Sequence, residues 1–588
     1  MPRTLVPLVV FLSLGPNLLL ADDAPWIARG QHGMVASDSP EASQIGADVL
    51  AGGGNAFDAA IATSLALAVA RPDSTGLGGG GFMVAYIARE KRCIALDFRE
   101  AAPAAATAER FAQLHAQRGD GPSPTVYGGH AIGVPGQLAG LQEIHKRFAT
   151  RPLSALIAPA LRLAEDGFIT DEHHRAACKS TIAAYERWPQ LRQRHGRLYQ
   201  TLLGDGTPPE LGSHTKRPDL AMALRLFARH GADEFYQGWI GKAVVQATQA
   251  AGGLLTMEDL AAYRVREREP IRGRFGDYEV VSMPPPSSGG ICIVEALNVL
   301  SAWSRTLQKQ PAQMRTDGTF PVYFVNALQH SFADRARWLG DPDFSSIPVK
   351  RLTSPASATE SVDRNGLKGK EFGTAQLPDD GGTAHFCVAD KHGNIVAITE
   401  TINGSFGSLV VAEPYGIILN NQMDDFAANP GKPNLYGLIQ GEANAVGPGK
   451  RPLSSMSPTI VFKEGRPVLA LGGSGGPCII TSVLQVLLNV ITFDMPIEKA
   501  VSAHRLHHQW RPDEVYFDGD PGKDVAAALR RAGHTISDRR KGGIVQAIRF
   551  LADGTMVGAS DPRKGGRPAA PTADPAGKGA PGSRARQP

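Results

Sequence analysis

The feature that most limits how this chain can fold lies at residue 383. There "PDDGGTAHFCVAD" (378–390) passes abruptly from a polar, glycine-punctuated segment into a strand. Upstream, Leu352 to Asp380 thins to Ser, Thr, Asp, Gly and Lys, the composition of a mobile connector. Downstream, "TAHFCVAD" and "NIVAITETIN" flank Lys391, His392 and Gly393 as the two arms of a hairpin. "YGIILNN" reads as a further strand and "SPTIVFKEGRPVLALGG" as a second hairpin. Residues 103 to 265 instead place apolar side chains at helical spacing, as in "LSALIAPALRLAEDGF". The expectation is a helix-rich N-terminal half joined by the connector to a β-rich C-terminal half.

Two helices are predicted between Ser39 and Ala70. Ser39 caps the first with Pro40 at its first turn, and Asn55 caps the second with Asp58 three residues on. The run "STGLGGGGFM" satisfies G-x-G-x-x-G at Gly76, Gly78 and Gly81, but here a helix precedes and a strand follows. A dinucleotide fingerprint needs the reverse order, so the run is read as a turn with unusual backbone angles. His173 and His174, being adjacent, should leave their helix on different sides as surface histidines.

The ends carry their own signals. Residues 1–21 set Arg3 before an apolar run that stops at Ala21, the layout of a secretory signal, so a soluble mature chain beginning near Asp22 and a periplasmic or secreted location are expected. From Asp561 to Pro588 six Lys/Arg face two Asp, an excess of four that equals the net charge of the whole chain. Everything before this tail is balanced, which removes charge as an argument for nucleic-acid binding. Rich in Pro, Gly and Ala, residues 561–588 are predicted to be disordered. Five widely spaced cysteines suggest buried thiols rather than disulfides or a zinc site, and neither a metal nor an organic cofactor is expected.

Two nucleophiles compete. Ser474 sits in G-x-S-x-G between a strand and a helix, followed by His504, His507, His508 and His534 with Asp513 and Asp518, so a serine-hydrolase order can be filled. Fewer than 90 residues separate it from the tail, however, and the neighbouring strands read as hairpins rather than βαβ units. Gly475 and Gly476, at the start of the helix, could instead offer backbone N–H groups to an oxyanion. Thr383 is ordinarily just a good β former. Cutting after Gly382 would change that, because the new α-amine, with a pKa near ~8, could take the proton of its own hydroxyl. Gly381 and Gly382 permit the bend such an acyl shift requires.

Over about Gly33 to Trp510 the chain resembles the gamma-glutamyltransferases, which are N-terminal nucleophile hydrolases. The strings "GGNAFDAAIA", "STGLGGGGFM", "ALDFREAAPAAAT", "GGTAHFCVADKHGNIVAITETIN", "GIILNNQMDDF", "NLYGL", "ANAVGPGKRPLSSMSPTIV", "GGSGGPCIIT" and "HRLHHQW" occur in family order. The resemblance implies an α+β fold, a four-layer αββα sandwich built jointly by a large subunit (22–382) and a small one (383–560) from one self-cleaved precursor. It implies Thr383 as nucleophile, Thr401 as its hydroxyl support and Asn403 as a contact to the glutamyl group. Gln422 and Asp425 would bind the substrate amino group, Arg99 with Ser454 and Ser455 the α-carboxylate. Gly475 and Gly476 would form the oxyanion hole and Tyr436 the lid. The implied reaction moves a γ-glutamyl group from glutathione or related amides to water, an amino acid or a peptide. Ala384 departs from the second hydroxyl residue of many relatives. A glutaryl-type (cephalosporin) acylase of the same fold, a serine hydrolase using Ser474 and an unprocessed solute-binding protein are the alternatives. Asp425 argues against the acylase, whose substrate carries no ammonium for it to bind.

Overall fold

The computed structural model describes residues 24–363, 382–428 and 431–572. Residues 1–23, which include the expected secretory leader, residues 364–381, which include most of the expected connector, residues 429–430 and residues 573–588 of the tail lie outside the described residues.

Two antiparallel sheets stack on each other. The first orders its six strands Gly33–Ser37, Gly382–Asp390, Ile395–Asn403, Gly80–Ile87, Arg92–Phe98 and Arg266–Arg268. The second, of seven strands, is centred on Arg466–Ser474, flanked by Thr459–Lys463 and Ile544–Phe550. Side-chain alternation along Gly382–Asp390 explains the layering. Ala384, Phe386 and Val388 join a core with the helices Ala56–Ala70 and Leu153–Asp166. Cys387 and Ala389 join another core with Leu469 and Leu471 of the second sheet and the helices Gly289–Leu307 and Cys478–Ile491. Helices therefore cover both outer faces, giving the expected αββα order.

The helix caps are those read from the sequence. Ser39 Oγ accepts from the Ala42 N–H, and Asn55 and Asp58 form a reciprocal capping box. All fifteen residues of Ala56–Ala70 are buried, which makes it the central helix of its layer. The sheets approach so closely that a Cβ on Gly472 would lie 2.3 Å from the His385 ring. Burial lowers the pKa of that histidine to about 3, so it is a neutral core residue whose Nδ1 lies 2.8 Å from Thr399 Oγ1.

Several expectations need correction. The two halves of the sequence are not separate layers: the strand opening at Gly382 lies between Gly33–Ser37 from the N-terminal half and Ile395–Asn403. The connector begins with a helix, Pro355–Asp363. In the glycine run close approach, not backbone angle, demands glycine, since a Cβ on Gly79 would come within 2.1 Å of the Thr401 carbonyl oxygen. His173 and His174 do not point apart into solvent. Both reach the carboxylate of Asp73, at 3.2 and 2.8 Å, and His174 is fully buried.

The largest correction concerns the tail. Residues 561–572 are folded: Asp561 and Lys564 are buried, and Ala569 pairs with Val35 through two backbone hydrogen bonds. Lack of large apolar side chains pointed to disorder; ion pairs hold the segment instead, with Asp561 against Arg505 at 2.8 Å and Arg563 at 2.9 Å.

Candidate active site

Thr383 follows a break in register between Gly382 and Thr383 and sits on the inter-sheet side of its strand. Its hydroxyl lies 3.1 Å from that of Thr401, directly across the hairpin. Thr401 donates to the Gly382 carbonyl oxygen at 2.5 Å and accepts from the Asn403 N–H at 2.8 Å. A hydroxyl has one proton and two lone pairs, so with its proton on Gly382 it can only accept from Thr383. The continuous chain thus holds the Thr383 hydroxyl beside the carbonyl that precedes it, with that carbonyl polarised by the Thr401 hydroxyl.

One small cavity of about 20 Å³ gathers most of the residues singled out in the sequence: Arg99, Thr383, Thr401, Asn403, Gln422, Asp425, Tyr436, Ser454, Ser455 and Gly476. Gly475 immediately precedes Gly476 in the turn between strand and helix. Both hold positive φ, +118° and +57°, which disfavours any side chain there. The ring of Tyr436 lies over Gly476, where a Cβ would meet it at 2.6 Å, and its hydroxyl donates to the Asn403 carbonyl at 2.7 Å. Asn403 itself tolerates a φ of +76°, a conformation open to asparagine more than to most residues, and its side-chain amide donates to the Asn421 carbonyl.

Arg99 and Asp425, expected to take opposite ends of a substrate, here take each other, with Arg99 Nη2 at 2.5 Å from Asp425 Oδ2. Gln422 donates to the same oxygen at 2.8 Å, and Arg99 Nε donates to the Pro452 carbonyl. Asp424 is no solvated turn residue: buried, it accepts from Thr125 Oγ1 and the Leu435 N–H, and burial pushes its pKa up to about 6. Glu100, next to Arg99, is also buried. Desolvation outweighs Arg99 at 3.9 Å and raises its carboxyl to about 8, and neither of its oxygens has a hydrogen-bond partner.

Two further residues at the site carry no local sequence signal. Arg335 also lines the cavity, buried, with Nε donating to Ser288 Oγ at 3.0 Å; it lies in "FADRARW", an ordinary amphipathic helix by pattern. Lys564 is the other. Its fully buried ammonium donates to the Thr383 carbonyl at 2.6 Å and to Ser474 Oγ at 3.3 Å, and meets Asp38 at 3.2 Å. Ser474 is thereby engaged with a lysine, while His507 bonds Thr481 and Gln509, and His508 and His504 face Asp513 and Asp518. Among the described residues no histidine is hydrogen-bonded to Ser474, so the serine triad does not assemble.

The sequence pattern described as Gamma-glutamyltranspeptidase matches residues 42–571. The chain belongs to the gamma-glutamyltranspeptidase family. It is 42% identical over 542 residues to the glutathione hydrolase proenzyme of Escherichia coli (strain K12), covering 91% of each chain. It is 38% identical to the protein of the same description from Pseudomonas aeruginosa, covering 94% of this chain and 97% of that one. The Acylase ACY 1 proenzyme of Pseudomonas sp. (strain SE83) is 37% identical, with 92% and 94% covered. Among solved structures, cephalosporin acylase from Bacillus halodurans superposes with a TM-score of 0.81 at 28% identity, covering 95% and 99%. The match to the family pattern reaches into the folded stretch after Asp561, which includes Lys564. Among the described residues no helix is long and apolar enough to cross a membrane, and no cluster of three or more His, Cys, Asp or Glu could hold a metal ion.

Proposed function

We propose that this family member is a γ-glutamyltransferase and glutathione hydrolase that matures by cutting its own chain between Gly382 and Thr383. The observation that carries the reading is the Thr383–Thr401–Gly382 hydroxyl chain opening into the cavity that holds Arg99 and Asp425. In maturation the Thr383 hydroxyl attacks the Gly382 carbonyl, its proton passes to the Thr383 nitrogen as the C–N bond breaks and the ester forms, and water hydrolyses the ester to the Gly382 carboxylate and the free Thr383 hydroxyl. The products are a large subunit ending at Gly382 and a small one beginning at Thr383, held together by the shared sheets.

In turnover the freed α-amine takes the Oγ proton as Oγ bonds the γ-carbonyl carbon. The same proton passes to the leaving nitrogen as the C–N bond breaks. Gly475 and Gly476 face the developing oxyanion, and Tyr436 closes the mouth. Water, an amino acid or a peptide then accepts the glutamyl group. The γ-glutamyl end is a zwitterion, and the Arg99–Asp425 pair is its complement. On entry the α-carboxylate replaces Asp425 on Arg99, and the ammonium replaces Arg99 on Asp425, with Gln422, Ser454 and Ser455 alongside. One internal ion pair is exchanged for two intermolecular ones, so the charges need not be bared in the interior. An acylase of glutaryl side chains would leave Asp425 without a cation, which favours the γ-glutamyl donor although relatives named acylase exist. Residues 1–21 support export to the periplasm or medium.

The test is turnover of a γ-glutamyl anilide by wild type, Thr383→Ala and Ser474→Ala, with denaturing gels and N-terminal sequencing. Thr383→Ala should lose both cleavage and turnover, and the small fragment of wild type should begin Thr-Ala-His-Phe. Loss of turnover in an uncut Ser474→Ala chain, or turnover by Thr383→Ala, would refute the reading.

A further inference from the structure

Lys564 is a buried cation at the nucleophile that the mechanism above does not use. Its Nζ has three partners: the Thr383 carbonyl at 2.6 Å, Ser474 Oγ at 3.3 Å and Asp38 Oδ2 at 3.2 Å. The lysine is held from behind, since Arg71 donates to the Lys564 carbonyl at 3.0 Å and pairs with Asp171. The Lys564 N–H in turn bonds the carbonyl of Asp561, itself paired with Arg505 and Arg563. A side chain with four rotatable bonds is thus fixed onto one peptide oxygen, that of the residue whose amine must act as base.

We propose that Lys564 is a positioning residue that fixes the first peptide of the small subunit and, through its charge, keeps the Thr383 α-amine unprotonated near neutral pH. The inference rests on Thr383 being the processed N-terminal nucleophile. The carbonyl oxygen and the α-nitrogen belong to one residue, so an ammonium bonded to the first lies within about 6 Å of the second. At that range a positive charge disfavours a second one on the amine. Near pH 7 an ordinary α-amine, with a pKa of ~8, is mostly protonated and cannot accept the Oγ proton. Lowering it puts the base in its working form.

The surrounding charges do not cancel this field at the amine. Asp38 is the counter-ion of Lys564, but it also accepts from Gln546 Nε2 at 2.5 Å and from the His385 N–H at 3.3 Å, two residues further along the strand than Thr383. His385 is neutral. Asp73, whose carbonyl oxygen abuts Gly382, has its carboxylate held by His173 and His174. Arg71 with Asp171, and Arg505 and Arg563 with Asp561, are paired off on the far side of the lysine. Glu400, on the strand beside Thr383, accepts from Ser64 and Gln137 and is raised by burial to about 7. Arg99, paired with Asp425, and Arg335, which donates to Ser288 Oγ, line the cavity onto which Thr383 opens. Among all these groups Lys564 alone bonds Thr383. The position also explains why Ser474 stands in a nucleophile-like motif without acting as one: its hydroxyl is the third acceptor of the lysine.

Opposite-sign variants test the proposal in the full-length processed enzyme with a γ-glutamyl anilide across pH 5 to 10. Lys564→Met removes the cation and leaves Asp38, so the acidic limb of kcat/KM should move up by about one pH unit or more. Activity should fall about tenfold at pH 6.5 and recover at pH 9.5, while Lys564→Arg should keep the limb near wild type. Asp38→Asn leaves the cation uncompensated, and its limb should move down. A uniform loss at every pH with the limb unmoved is what a merely structural lysine would give and would overturn the proposal. If Lys564→Met does not fold or mature, Asp38→Asn decides, and a limb that stays in place or rises refutes it. Turnover by Thr383→Ala, measured alongside, would mark failure of the underlying nucleophile assignment rather than of the lysine's role.

Discussion

Replacing Thr401 by valine isolates the hydroxyl that links the proposed nucleophile with the peptide bond proposed to be cut. Valine keeps the shape of threonine and the strand pairing of Thr401 with Thr383 and Gly80. It removes the donor to Gly382 O at 2.5 Å and the acceptor for Thr383 Oγ at 3.1 Å. Both hydrogen bonds touch atoms that react in the proposed self-cleavage step. A preorganised donor to a developing oxyanion contributes about 3–4 kcal/mol, so maturation should slow about 10²–10³-fold. The ground state suffers less, because the main new defect is the buried Asn403 N–H left without its acceptor, about 1–3 kcal/mol. The assay is a time course of precursor and fragments on denaturing gels after synthesis at 25 °C, with thermal melts in parallel. Thr401→Ser should mature within a few-fold of wild type. A Thr401→Val precursor cut at the wild-type rate would refute the polarisation argument, and a slow variant whose Tm had collapsed would assign the effect to folding.

Arg99→Lys should raise KM for the donor about tenfold or more with little change in Tm, because an ammonium cannot serve both Asp425 and the Pro452 carbonyl as the guanidinium fork does; an unchanged KM would sink the carboxylate assignment. Gly476→Ala should lower kcat at least tenfold, since its φ of +57° and the Tyr436 ring at 2.6 Å both oppose a Cβ, and wild-type kcat would show that turn to be slack. Glu100 titrates in the folded state at about 8, above its unfolded value near 4.5. The folded protein therefore holds the extra proton, and the associated stability is complete below about pH 4.5 and lost as pH rises to 8. Wild type should lose stability between pH 6 and 8 with a slope approaching about 1.4 kcal/mol per unit from this group, and Glu100→Gln should lose less. Parallel melting curves for the two proteins across that range would contradict the assignment.

The chain's own pattern determined a good deal. Strand-forming runs through Thr383–Asp390 and Ile395–Asn403 around Lys391, His392 and Gly393 set the hairpin, and Ser39–Pro40 and Asn55–Asp58 set two helix starts, because these signals act within a few residues. Ten of the site residues marked by motif line one cavity. What the tertiary structure decided is which polar groups meet. Lys564 reaches Thr383 across 181 positions, Arg335 reaches Gln440 across 105, and His174 reaches Asp73 across 101. Nothing local distinguishes a lysine in "DPRKGG" that will be solvated from one that will be buried. That choice depends on an acceptor and a counter-ion supplied by distant strands, and only the stacking of the two sheets brings them together. The same separation explains the failed expectation for residues 561–572. Composition measures how much apolar surface a segment can bury, whereas this one is held by ion pairs and backbone hydrogen bonds whose partners lie elsewhere in the chain.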